Sequence, residues 1–161
     1  MRPRVQLTAT ELRKVAYYAE KIREYRAGRS DRFTVEGHDM TANETVGRVG
    51  EYAVAKYLGI EYPFHLEGDI DGDVGGYQVR TRSRHFYDLP TYDWDTAGTY
   101  ILATWDPWSP HGIVILHGWA ALDETRLSER WAADLPHPCY LTRQKDLHPM
   151  STLPEIKDVL R

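Results

Sequence analysis

Two stretches decide how this chain is read. They are Gly47-Arg48-Val49-Gly50-Glu51-Tyr52-Ala53-Val54-Ala55-Lys56-Tyr57-Leu58-Gly59 and Asp73-Val74-Gly75-Gly76-Tyr77-Gln78-Val79-Arg80-Thr81. In the first, Val49, Ala53, Val54 and Tyr57, with Val46 ahead of them, recur at helical spacing and form one apolar stripe. Thr41 and Glu44 have capping-box spacing and Gly59 is a natural stop, which together predict a helix from about Asn43 to Leu58. Glu51 stands at the rim of that stripe. Gly47 one turn before it and Gly50 beside it leave space for another chain or a ligand. In the second stretch, Gly75-Gly76 reads as a tight turn. Tyr77 to Arg82 alternates and is rich in strand formers, so Gln78 and Arg80 share one face of a strand and Val79 points the other way. A helix carrying a glutamate is thus followed by an acidic residue, a turn, and a polar-X-basic strand.

Working outward, Leu12, Val15, Ala16, Ala19 and Ile22 mark an amphipathic helix over about 8–27, opened by a Thr8/Glu11 capping box and closed at Gly28. Its other face carries Arg13, Lys14, Glu20, Arg23 and Glu24 and reads as solvated surface. Tyr62–Leu66 and Asp69–Val74 are short strand candidates. Tyr100–Trp105 and Gly112–Trp119 are nearly continuous apolar strands, as expected inside a sheet. These two and Tyr77–Arg82 are expected to share one sheet, with the second helix packed on it. Residues 83–98 read as an irregular excursion, 124–133 as a short helix, and the tail from Pro136 as loop with a last turn at 154–160. The whole is an α/β domain with one central sheet.

Composition sets the outer limits. A chain of 161 residues is one domain's worth, and 42% hydrophobic with 12% aromatic residues is enough for a core. No run approaches the ~18 apolar residues of a membrane span. Met1–Gln6 is followed by no apolar signal region, so a cytoplasmic protein is expected. Cys139, the single cysteine, excludes an intramolecular disulfide and a multi-cysteine zinc site, and reads as structural. A net charge of −4 disfavours a nucleic-acid partner held by bulk charge and leaves room for a local basic patch.

Glu67, Asp69, Asp71 and Asp73 are spaced two apart and would share one face of an extended strand, repelling one another unless neutralised. One reading is a solvated acidic hairpin. A calcium loop starting at Asp69 fails, because Val74 stands where the loop needs glycine and Arg80 where it needs a bidentate carboxylate. The third reading is a magnesium site for phosphodiester cleavage, which needs carboxylates for the ion and a cation near the phosphate. Arg80, Arg82 and Arg84 alternate, with His85 adjacent. They form a basic stripe that either grips a phosphate backbone or only neutralises the aspartates. The seven histidines lack metal-ligand spacing, and His117, in an apolar strand, reads as a satisfied core residue. Trp105 and Trp119 end strands and read as core. Trp108 follows Pro107 in a turn and is the best exposed candidate for base stacking.

The two opening stretches resemble the PD-(D/E)XK nuclease superfamily, most of all its small phage-type members. The match spans about residues 43–119. The resemblance implies a restriction-endonuclease-like αβββαβ core with a central mixed sheet, to which this chain adds the N-terminal helix (8–27) and a C-terminal extension (120–161) within a single domain (1–161). It also implies that Glu51, Asp73 and Gln78 hold Mg²⁺ or Mn²⁺, with Arg80 in the place of the family's lysine and Asp69 or Asp71 as alternatives to Asp73. Arg80, Arg82, Arg84 and His85 would contact nucleic acid. The implied activity is metal-dependent hydrolysis of DNA phosphodiesters, in a bacterial or phage-infected cell, and a homodimer is compatible with it. Two departures stand out. Gln78 brings no charge to an ion, and Arg80 stays protonated and is no base. The rival reading is therefore an inactive nuclease-fold protein that binds nucleic acid or a protein partner.

Overall fold

A computed structural model describes residues 2–25, 40–64, 73–109 and 111–156. Its regular elements are β1 (Arg4–Gln6), α1 (Ala9–Tyr25), α2 (Met40–Leu58), β2 (Gln78–Arg82), β3 (Leu89–Thr91), β4 (Thr99–Thr104), β5 (Ile113–Ala121), α3 (Leu122–Thr125), β6 (Trp131–Ala132) and β7 (Cys139–Thr142). Four strands form a mixed sheet in the order β1-β5-β4-β2. β4 runs antiparallel to β5 and parallel to β2, and β1 pairs antiparallel with β5. The three segments expected to share a sheet do so. A parallel pair needs a crossover of a dozen residues or so, and residues 83–98 supply it. The excursion carries β3, which pairs with β7 in a second, antiparallel sheet ordered β3-β7-β6. It carries no helix, where the αβββαβ pattern has one.

The capping box of α1 forms as the spacing predicts: the Thr8 N–H donates to Glu11 Oε1 (2.8 Å) and the Glu11 N–H to Thr8 Oγ1 (3.1 Å). Helix α2 starts at Met40 and not at Asn43, so Thr41 lies inside its first turn and does not precede it. Its end is a Schellman motif. The Ile60 N–H donates to the Ala55 carbonyl (3.0 Å) and the Gly59 N–H to that of Lys56 (3.2 Å). The motif needs φ > 0 at the residue after the helix, and Gly59 has φ 71°.

Val46, Val49, Ala53 and Val54 of α2 are buried in one cluster with Val15 and Ile22 of α1 and with Val79, Ile101, Ala103, Val114 and Leu116 of the sheet. Each of the valine, isoleucine and leucine side chains contributes about 1.5–3 kcal/mol by leaving water. Tyr57 departs from the expected stripe and is 40% exposed, while Ala55 is buried. Helix and sheet meet tightly at Gly50, where an added Cβ would stand 1.8 Å from Thr81 Oγ1. The room beside Glu51 is therefore filled by another strand of the same chain. Leu89, Tyr100, Leu102, Ala120 and Leu122 form a second, smaller core on the opposite sheet face.

The β4–β5 ladder shifts register between Leu102, opposite Gly118, and Ala103, opposite Leu116. His117 is the extra residue of that bulge. Gly118 has φ 143°, and a Cβ there would meet the His148 carbonyl oxygen at 2.4 Å. The predicted helix over 124–133 is only α3, a 3₁₀ turn at Ser128–Arg130 and β6. The strand candidates Tyr62–Leu66 and Asp69–Val74 lie partly outside the described residues. Within those residues Tyr62–Phe64 is not strand, and Val74 makes an isolated bridge to Tyr77. Gly28, the 28–41 connector up to Asp39 and most of the predicted last turn at 154–160 also lie outside them. Among the described residues, no helix is long and apolar enough to cross a membrane.

Candidate functional site

Asp73 sits at the mouth of a two-residue turn. Gly75 (φ 58°) and Gly76 (φ 87°) close it, both in the left-handed region that glycine adopts without cost. The backbone N–H groups of Asp73 (2.8 Å) and Val74 (3.1 Å) both donate to the Tyr77 carbonyl. Two residues facing one is the pattern of a bulge, which re-aims a side chain. Asp73 Oδ2 accepts the Val79 N–H at 2.9 Å, so the carboxylate is anchored to the start of β2 by one oxygen. Burial raises the Asp73 pKa above the ordinary carboxylate range, and the Val79 hydrogen bond and the Arg80 and Arg48 charges only partly offset it.

Glu51 projects from the buried side of α2 and is 7% exposed. Both its oxygens accept from Arg48 Nη1 (3.1 Å each), and Oε1 also accepts the Tyr62 hydroxyl hydrogen (3.0 Å). Arg48 is shared, since its Nε and Nη2 donate to Glu44 Oε1 at 3.1 and 2.8 Å. Burial alone disfavours the Arg48 charge, but Glu51 and Glu44 outweigh it and hold the guanidinium above its ordinary pKa. Glu51 is pushed up to about 7, first by desolvation, against the pull of Arg48, and further by the negative charge of Asp73. Tyr62 is raised as well, by burial and by Glu51. Two desolvated carboxylates, from helix and hairpin, thus lie close enough to repel.

Gln78 and Arg80 stand on the other face of β2. Val79 and Thr81 face α2. Gln78 and Arg80 are in register with Tyr100 and Leu102 of β4, whose side chains belong to the second core. Gln78 is directed toward Gly98, where an added Cβ would lie 3.8 Å from Gln78 Cγ. Arg80 Nη2 donates to Asp95 Oδ1 at 2.7 Å, while Asp95 Oδ2 accepts the Tyr92 N–H at 2.8 Å. The Arg80 guanidinium also lies 5.1 Å from the Tyr100 ring and 5.8 Å from that of Tyr92. Its Nε is buried without a hydrogen bond. Asp73 is the group within electrostatic reach of both half-sites, of Glu51 on one side and of Arg80 and Asp95 on the other.

The basic stripe is largely spoken for. Arg82 donates to the Asp88 carbonyl (2.9 Å) and lies 4.5 Å from the Tyr87 ring. Arg84 pairs loosely with Asp106 at 3.6 Å. Sequence reasoning missed Arg48, Tyr62 and Asp95. Arg48 is legible in hindsight, three residues before Glu51 and four after Glu44 on one helix. Asp95 is not, because its partner lies across a crossover. Glu67, Asp69 and Asp71 lie outside the described residues. Among those described, no group of three or more His, Cys, Asp and Glu side chains is placed to hold a metal. The Glu51–Asp73 pair has the hard-oxygen chemistry that Mg²⁺ or Mn²⁺ takes, and a cation there would relieve their repulsion. Gln78, on the opposite face, does not join them directly. No protein-family model, curated protein or solved structure matches this chain.

Proposed function

We propose that the chain is a divalent-cation-dependent nuclease acting on DNA, with Glu51 and Asp73 as its metal carboxylates. The observation that carries this reading is the pairing of two buried carboxylates whose proton affinity is raised, the signature of negative charge awaiting a cation. The hairpin leading into β2, the parallel β2–β4 pair and the packing of α2 on the sheet support the resemblance to the PD-(D/E)XK superfamily. The helix-free crossover departs from it. When bound, Mg²⁺ or Mn²⁺ would supply an activated water and a Lewis acid for the phosphoryl oxygen. Asp73, anchored through Oδ2, offers Oδ1. Tyr62 and Arg48 orient Glu51. Arg80 takes no proton and offers only charge to a phosphate.

A second reading is favoured by the two internal ion pairs. Arg48 already pairs with Glu51, and Asp95 with Arg80, as suits a nuclease-fold protein that binds and does not cut. Thermal stability titrated with Mg²⁺ and Mn²⁺, alongside plasmid and oligonucleotide cleavage, separates the two, because a ligand that binds only the folded state raises its stability. The first reading requires metal-dependent stabilisation and cleavage, both lost in Asp73→Ala. Cleavage that survives Asp73→Ala would move the site to Asp69 or Asp71. Neither stabilisation nor cleavage in the parent would leave the non-cleaving binder.

A further inference from the structure

We infer that the loops leaving the carboxyl ends of β2 and β4 form a binding platform for unpaired nucleotides, with Phe86 and Trp108 stacking on bases and His85 and Arg84 on the phosphate. This rests on the reading of the chain as one that acts on nucleic acid. It adds the substrate class, single-stranded rather than duplex. The two loops are neighbours. The Trp105 N–H donates to the Arg82 carbonyl at 3.0 Å, and Arg84 Nη1 lies 3.6 Å from Asp106 Oδ1. Phe86 and Trp108, 75% and 84% exposed, are the two most exposed large hydrophobic side chains among the described residues. An aromatic face that protrudes this far can stack only on a base whose own face is free, as in a single strand.

The phosphate end is built by a directed chain of hydrogen bonds. A guanidinium only donates, so His117 Nδ1, 2.9 Å from Arg2 Nη1, accepts. Burial, with the Arg2 charge beside it, holds the His117 pKa down to about 4, so the ring is neutral and its proton is on Nε2. That N–H donates to Thr104 Oγ1 at 2.6 Å. The hydroxyl hydrogen is then free to donate to His85 Nδ1, 2.7 Å away, and we assign the bond that direction. In that arrangement the His85 ring N–H is on Nε2, which makes no hydrogen bond among the described residues. It is a donor held toward solvent beside Arg84, as a phosphate oxygen requires. The bulge that inserts His117 into β5 makes this possible. Gln144 fixes the loop, donating to the carbonyls of His85 (2.7 Å) and Tyr87 (2.8 Å) while accepting from Arg2 (2.6 Å). The carboxylates of the region are committed internally: Asp106 Oδ1 takes the Trp108 N–H (2.9 Å), and Asp88 Oδ1 the Gln144 N–H (3.1 Å).

The test is fluorescence anisotropy of a labelled oligothymidylate and of a duplex of matching length, at fixed salt and in EDTA so that nothing is cleaved. The single strand is expected to bind at least ~10-fold tighter than the duplex. Trp108→Ala and Phe86→Ala should each weaken it at least ~5-fold, and Tyr17→Ala, an exposed aromatic on α1, should not. Histidine ring ¹⁵N shifts should place the His85 proton on Nε2, and Arg2→Ala should release that preference. Equal affinity for duplex, no binding, unchanged affinity in both aromatic variants, or an Nδ1–H tautomer of His85 would each overturn the inference. Since cleavage is not read, failure here leaves the Glu51–Asp73 proposal to its own assay.

Discussion

Glu51→Gln probes the centre of the candidate site without removing volume. The folded chain holds a proton on Glu51 up to about pH 7, against an ordinary value of 4.5. As pH rises from 4.5 to 7 the folded state binds more protons than the unfolded one, so stability falls across that window. At about 1.4 kcal/mol per pH unit, full ionisation costs about 3 kcal/mol. Desolvation is the main cause, and neither Arg48 nor Tyr62 cancels it. Glutamine cannot ionise, so the variant lacks this loss. Urea unfolding of parent and variant at pH 5 and pH 8 gives the comparison. The difference in stability between the two proteins should shift by about 2.5 kcal/mol in favour of the variant between those pH values, the remainder having been lost below pH 5. Asp73 titrates in both proteins, so only its coupling to Glu51 enters the difference. Mg²⁺ adds a second reading. It should stabilise the parent more at pH 8 than at pH 5, because a carboxylate must be ionised to ligate. Parallel pH profiles for parent and variant would refute the reasoning. They would mean that Arg48 keeps Glu51 ionised in the folded state throughout, and that no uncompensated charge waits there.

Two further outcomes test the scaffold. Gly50→Ala should destabilise by about 1–3 kcal/mol or more, read as a fall in melting temperature, because its Cβ would lie 1.8 Å from Thr81 Oγ1. Adding Thr81→Ala should restore only part of the loss, since Thr81 Cβ itself stands 2.7 Å away. Asp95→Ala should cost about 3 kcal/mol in urea unfolding, since it strands the largely buried Arg80 charge, and a loss under about 0.5 kcal/mol would mean that the pair is no more than a surface contact.

Local rules carried far in this chain. The capping box at Thr8, the Gly59 stop, the Gly75-Gly76 turn and the alternation of Tyr77–Arg82 depend on neighbours within about four residues. Period and glycine chemistry therefore reveal them, and burial follows from the same stripes. The short strands β1 and β7 escaped because three or four residues are too few to show a period. β1 is a strand only because β5 offers it an edge, and β7 only because β3 and β6 flank it. The single helix expected over 124–133 broke into shorter pieces for the same reason, as β6 pairs with β7 across the chain.

The candidate site divides in the same way. By itself the sequence determined which chemistry was present: a glutamate on a helix rim, an aspartate before a tight turn, a glutamine and arginines sharing one strand face. Only the tertiary structure decided which of these groups meet. Strand alternation put Gln78 and Arg80 together, but the side on which α2 packs set Glu51 against the opposite face. The crossover then brought Asp95 to Arg80, and the bulge at His117 brought two distant histidines to Thr104. Side-chain period is local and readable one residue at a time. Charge pairing depends on distance through space, and that distance is set only when helix, hairpin and crossover close on one sheet.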